Sequence, residues 1–161
     1  MASTSKHRVA PAELADALLS EFVASTPTIA GKKLTLDEIT RPRFDKKALI
    51  CGIASVLLAL AREEEGNPRF TAVRAELERR IFPVKPTRSG IVILDDVKRA
   101  MNDLSALLFP NGQPQEISWA RNWLLDIGVD ESNPVTLALL AMYWLDFHAT
   151  ASKALQSFEI G

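Results

Sequence analysis

The side chains that could carry out chemistry are few, and their spacing does not bring them together. The chain has two histidines, His7 and His148, and one cysteine, Cys51. Asp146 lies two residues before His148, so the two side chains point to different sides of a helix and form no local metal pair. The glutamates at 63–65 lack the Glu-x-x-His partner that helical di-metal sites use. We therefore predict no catalytic residue, no metal site and no cofactor, and we favour a protein that is not an enzyme.

Two of these reactive residues lie in strongly apolar stretches. Cys51 falls inside residues 48–61, which contain no charged side chain, so we interpret it as a small buried hydrophobe rather than a nucleophile. His148 follows Trp144 by one helical turn, which favours a core or boundary histidine with a satisfied hydrogen bond. A single cysteine permits no internal disulfide, and the first residues lack the apolar core of a signal peptide. We therefore expect a cytoplasmic, reducing location.

Basic side chains are the strongest candidates for binding. The formal net charge is −1, yet residues 41–90 carry 11 Lys and Arg against 6 Asp and Glu, and residues 91–161 carry 4 against 9. The basic part could face nucleic acid or the acidic part of another copy, but packing of the two parts within one fold explains the asymmetry equally well. The candidate residues for binding a partner or nucleic acid are Arg41, Arg43, Lys46, Lys47, Arg79, Arg80, Lys85 and Arg88.

Two further features bear on binding. The pI of about 6.1 and the acids interleaved among the basic residues weigh against nucleic acid. Trp119 and Trp123 are four residues apart on one face of an expected helix. Such a pair is usually part of the core, but an exposed pair would mark a binding hot spot.

Two apolar stretches, residues 44–65 and 133–158, are predicted to be the central helices. Asn133 can cap the second of them, and Pro134 suits its first position. Only Thr136 is polar within residues 135–145, so this half must be surrounded by protein or by another apolar phase. The small residue Gly52 in the first stretch would let the second helix approach closely.

Four shorter amphipathic patterns complete the fold. They span residues 11–25, 67–82, 96–109 and 116–127. With short connections and no confident strand, the sequence predicts an all-α, single-domain bundle of about six helices over residues 11–161, preceded by a flexible arm at 1–10. No uncharged run approaches the roughly 18 to 20 residues that cross a bilayer, so we expect no membrane span.

The leading expectation for function is a non-enzymatic helical interaction or self-assembly protein, a scaffold or adaptor that binds a protein partner or itself. Lys46 and Lys47 near the start of a central helix, and the glutamates at 63–65 near its end, oppose the helix dipole, so local helix stability did not select them. The alternative is a nucleic-acid-associated protein that uses residues 41–90. A further alternative is a carrier or enzyme with an apolar pocket between the central helices.

Overall fold

The computed structural model describes residues 6–20, 40–81, 94–112 and 115–161. These residues form an all-α helical bundle with two very short strands, as the sequence predicts for the fold class. The elements in chain order are β1 (His7–Val9), α1 (Pro11–Leu18), α2 (Thr40–Gly66), α3 (Phe70–Ile81), α4 (Leu94–Leu108), α5 (Glu116–Leu125), α6 (Pro134–Gln156) and β2 (Phe158–Ile160). Among the described helices, none combines the length and hydropathy of a bilayer-spanning segment.

Helices α2 and α6 are the central pair, as predicted. Helix α2 packs on α6 along one side and on α3 and α4 along others, while α5 packs on α6 and α1 on α3. At Gly52 of α2, an added Cβ would lie 3.7 Å from Cζ of Phe147 in α6, an ordinary packing distance. Asn133 caps α6 by accepting the backbone N–H of Val135 at 3.0 Å. A small residue in α2 therefore faces an aromatic side chain of α6 where the two helices pack.

The two chain ends meet, which the sequence did not predict. Strands β1 and β2 pair in parallel, with Val9 opposite Ile160, and the Gly161 N–H donates to the Val9 carbonyl at 2.9 Å. Residues 7–9 are therefore in a strand rather than in an unpaired arm, and α6 ends at Gln156 instead of reaching Phe158. Ile160 is buried in the core, which holds in place a strand pair that would be marginal alone. Strands of three residues leave almost no periodic signal in a sequence.

Helix α6 has a buried face and a partly exposed apolar face. Its buried face includes Leu137, Leu140 and Trp144, but Val135 is 65% exposed and Met142 is 50% exposed. On this side the first half of the helix is therefore not enclosed by the described residues, and the prediction of an enclosing protein or other apolar phase stays a prediction. The second half is amphipathic as predicted, with Lys153 exposed opposite the buried core face.

Most of the charges that oppose the α2 dipole have partners in neighbouring helices. Glu64 pairs with Nε of Arg74 in α3 at 2.7 Å, and Gln156 of α6 donates to Glu63 at 3.0 Å. At the other end of the helix, Lys47 pairs with Asp126. Hydrogen bonding to Arg74 is the main cause that lowers the pKa of Glu64. These contacts join helices, which explains why charges unfavourable to α2 alone are present.

His148 is a buried core residue, but its hydrogen bonding differs from the prediction. It is only 6% exposed, and neither ring nitrogen has a partner of good hydrogen-bond geometry among the described residues. Burial is the main cause that lowers the pKa of His148, and the positive charge of Arg62 adds to this effect. The Ser55 backbone, which is near the ring but forms no well-aligned hydrogen bond, has a weaker opposing effect on the pKa. Burial at the α2–α6 contact therefore favours the uncharged form of the imidazole.

We predict opposite effects for a small and a large substitution at Gly52. Gly52→Ala should raise the free energy of unfolding by up to about 1 kcal/mol, because alanine favours the helix. Its Cβ would make only ordinary contact with Phe147. Gly52→Leu should lower the free energy of unfolding by about 1–3 kcal/mol through overpacking. Urea denaturation followed by circular dichroism measures both, and equal stability of the two variants would contradict the close α2–α6 packing.

We also predict that His148 contributes to acid sensitivity. Its folded pKa lies below the ordinary value of 6.5, so the unfolded chain takes up this proton first as the pH falls. The free energy of unfolding should therefore decrease as the pH drops below that value, until the folded pKa is passed. Urea denaturation at about pH 7.5 and about pH 5.5 should show a smaller decrease for His148→Gln than for the wild type. His7→Gln, at an exposed position, is the control and should retain the wild-type decrease.

Candidate functional site

A cavity of about 270 Å³ opens between α2, α4 and α5. We call it the α2–α4–α5 cavity. Its apolar part is formed by Ile50 and Cys51 of α2, Leu104 of α4, Trp123 of α5 and Ile127. None of its lining residues comes from α6, so it differs from the pocket between the two central helices that the sequence suggested. The cavity is a concave apolar site with charged groups at its rim, the general form of a binding pocket.

Trp123 forms much of the apolar wall. It is 6% exposed, its ring lies edge-on to Phe44 with centroids 5.4 Å apart, and its centroid is 6.2 Å from that of Trp144. These contacts continue into the α2–α6 core, so the indole is held in one position. Trp123 is therefore a core residue with one side facing the cavity.

Trp119 is more accessible than Trp123 and also lines the cavity from α5. It is half-buried, and its indole N–H donates to the backbone carbonyl of Asp103 in α4 at 2.9 Å. This hydrogen bond fixes α5 to α4 at the rim. The two tryptophans therefore differ, although the sequence analysis treated them as a pair. Trp123 belongs to the core, whereas Trp119 presents partly exposed aromatic surface beside the cavity.

The basic residues at the rim differ in whether their charge is neutralised. Lys47 pairs with Asp126 at 2.5 Å, and its ammonium lies 5.2 Å from the Trp123 ring centroid. Arg43 and Lys46 are exposed, and neither forms an ion pair within the described part of the chain. Both follow the N-terminal end of α2, where the helix dipole adds positive potential. Two uncommitted cations therefore face an apolar cavity.

Helix α4 supplies the remaining charged lining, which the sequence interpretation missed. Asp96, Arg99 and Asp103 recur at three- and four-residue spacing, so they share one face of the helix. Arg99 approaches Asp96 only at 4.0 Å and is largely exposed. The sequence does contain a sign of this lining, because these charged residues form a polar face opposite the apolar residues of α4. That pattern does not reveal which helices pack against the polar face.

Among the other predicted basic residues, the three that the structure describes, Arg41, Arg79 and Arg80, do not line this cavity. Arg41 is exposed on α2. Arg79 pairs with Glu76 at 2.9 Å, while Arg80 pairs with Asp16 of α1 at 3.1 Å and with Glu76 at 3.3 Å. Lys85 and Arg88 lie outside the described residues. The predicted basic set is therefore divided between the cavity rim and the ion pairs of α3.

A second cavity of about 370 Å³ lies between α2, α3 and α4. Arg74 lines this cavity, and its guanidinium bonds both Glu64 at 2.7 Å and Glu78 at 3.2 Å. Three of the four charged side chains there are thus paired in contacts that join α2 to α3, and Lys98 is the fourth. Although it is larger, this cavity offers fewer uncommitted groups than the α2–α4–α5 cavity.

The described residues offer little for catalysis. Burial raises the pKa of the Cys51 thiol to about 12, against the weaker opposing effects of a Trp123 hydrogen bond and the Lys47 charge. Within the described ranges, no group of three or more His, Cys, Asp or Glu side chains is arranged to hold a metal ion. The thiol is buried, as expected for a core cysteine, and is not an activated nucleophile.

Comparisons of this chain with protein families, curated proteins and solved structures gave no match. The functional argument therefore rests on the geometry and chemistry of the cavity.

We predict that the Cys51 thiol is protected in the native protein. Iodoacetamide at mildly alkaline pH should leave it unmodified over a time in which the guanidinium-unfolded chain is alkylated completely, because the thiolate is the reactive form and burial disfavours it. Mass spectrometry of the intact protein measures the modified fraction. Native and unfolded protein reacting at equal rates would contradict the burial of this side chain.

Proposed function

We propose that this chain is a non-enzymatic helical interaction protein that binds an acidic and partly apolar protein surface at the α2–α4–α5 cavity. The observation that carries the proposal is that Arg43 and Lys46, which have no ion-pair partner among the described residues, line the same cavity as the apolar ring of Trp123. Wells of this kind accept an apolar anchor side chain, while the rim cations select a partner with carboxylates nearby. Trp119 extends the aromatic surface at the opening.

The wall charges favour a protein partner over nucleic acid. Asp96, Asp103 and Asp126 also line the cavity, and they would repel a phosphate backbone laid across the opening. Arg79 and Arg80, which a nucleic-acid footprint would need, are engaged with Glu76 and Asp16. A protein surface can place its few carboxylates opposite Arg43 and Lys46 and keep them away from these acids.

The location that we propose is intracellular. It is supported by Cys51, which is the only cysteine and is a free thiol in the core. Reducing compartments keep such thiols free, whereas oxidising ones favour disulfides.

Charge reversal at the rim tests the proposal. Arg43→Glu/Lys46→Glu should reduce capture of the partner from a lysate of the source cells by roughly tenfold or more, because it replaces two attractions with repulsions at the cavity mouth. The measurement is affinity capture on the immobilised chain with quantitative mass spectrometry, before and after nuclease treatment.

The matched control is Lys6→Glu/Lys98→Glu, which makes the same change in net charge at exposed positions that do not line this cavity. It should capture the partner as the wild type does. Circular dichroism verifies that all variants are folded. Capture that is unaffected by the rim reversal, or that disappears with nuclease, would contradict the proposal, and the second result would favour nucleic acid.

A further inference from the structure

Helix α6 carries a partly exposed apolar stripe. Val135 is 65% exposed and Met142 is 50% exposed, with the half-buried Leu139 between them. Asp146 follows Met142 by one turn and is exposed. Because spacings of three, four and seven residues return to one face of a helix, these four residues share a side. We call this set the α6 stripe.

The α6 stripe has acidic groups near both ends. Asp146 lies at one end and forms no ion pair among the described residues. Just before the helix, the side chain of Asp130 is 76% exposed and lies 3.8 Å from Arg121, a distance at which exposed charges attract weakly. Lys153 is exposed and follows Asp146 by seven residues, so it places a cation on the same side of the helix, two turns beyond the end of the stripe. The stripe itself therefore combines three apolar side chains with one carboxylate.

This is the chemistry that the α2–α4–α5 cavity accepts. We infer that a second copy of this chain is the partner, and that its α6 stripe docks on the cavity of the first copy. Met142 is the apolar anchor, since its flexible thioether side chain fits irregular wells, and Asp146 lies opposite Arg43 and Lys46. This inference rests on the proposed function and names its partner.

The two surfaces do not overlap within one copy. The cavity is lined by residues of α2, α4, α5 and the turn after α5, whereas the stripe belongs to α6. A copy can therefore offer its stripe to one neighbour and its cavity to another. When the stripe of each copy docks on the cavity of the next, the contact is heterologous, and repeated contacts build a ring or an open filament.

The contact should be weak and sensitive to salt. A stripe of four residues on a single cavity is smaller than the roughly 800 Å² per partner of a standard interface. The charges at the rim are exposed, so salt screens their attraction. Association should therefore increase with protein concentration and decrease in high salt.

Complementation between two defective variants tests the head-to-tail arrangement. Arg43→Glu/Lys46→Glu has a defective cavity and an intact stripe, whereas Val135→Ser/Met142→Ser has a defective stripe and an intact cavity. Each alone should associate at least about tenfold more weakly than the wild type, which corresponds to about 1.4 kcal/mol. Mixed together, they should form a one-to-one heterodimer that grows no further, because only one junction can form. Sedimentation velocity and size-exclusion chromatography with light scattering measure the species.

Two controls match these variants in kind. Lys6→Glu/Lys98→Glu makes the same charge change away from the cavity, and Ile117→Ser/Leu125→Ser removes two apolar side chains of α5 that are similarly exposed. Both controls should associate as the wild type does. Circular dichroism verifies that every variant is folded.

Three outcomes would overturn the inference. They are a wild-type chain that stays monomeric at high concentration, defective variants that still associate normally, and a mixture that remains two monomers. The proposed function fails separately: a monomeric wild type that captures another protein through Arg43 and Lys46 would refute self-docking and leave the cavity as an interaction site. If Arg43→Glu/Lys46→Glu captured that other protein as well as the wild type does, the proposed binding function of the cavity would itself be refuted.

Discussion

The enclosure of α2 is the constraint on which the rest of the structure depends. Residues 51–57 of this helix are buried all round, so no side of these two turns can face water. The neighbouring helices α3, α4 and α6 must therefore surround it, and Gly52 lies against Phe147 of α6. Burial of this segment also fixes Cys51 and Ser55 in the core, and it places α4 where its charged face meets the exposed start of α2.

The binding chemistry arises where α2 leaves this enclosure. Its first turns keep one side in the core through Phe44, and their exposed side carries Arg43 and Lys46, with Lys47 partly buried beside them. Lys47 is held by Asp126, but the other two cations have no described ion-pair partner. Because Trp123 bridges this region to the core through Phe44 and Trp144, the apolar wall beside the free cations is rigid. A preformed wall lowers the ordering cost of binding.

The sequence predicts the long helices well because their signals are strong and local. Asn133 and Pro134 mark the start of α6, and the uncharged run in α2 marks the buried helix. It does not predict the pairing of Val9 with Ile160, which is a contact between chain ends with no local pattern. For the site, residue type pointed to Arg43, Lys46 and Trp119, but the contribution of α4 depends on tertiary packing, which periodicity cannot supply.

The charges that oppose the α2 dipole show how tertiary contacts change a sequence argument. The sequence leaves two explanations for them, salt bridges to adjacent helices and an external partner. Glu63, Glu64 and Lys47 contact Gln156, Arg74 and Asp126, so their positions are explained within the fold. Among the described residues, Lys46 and Glu65 form no ion pair; Lys46 lies with Arg43 at the α2–α4–α5 cavity, while Met142 and Val135 are exposed on α6. Two cations at the cavity are therefore left without an internal partner, and their complementarity to the apolar and acidic α6 stripe favours a contact between copies.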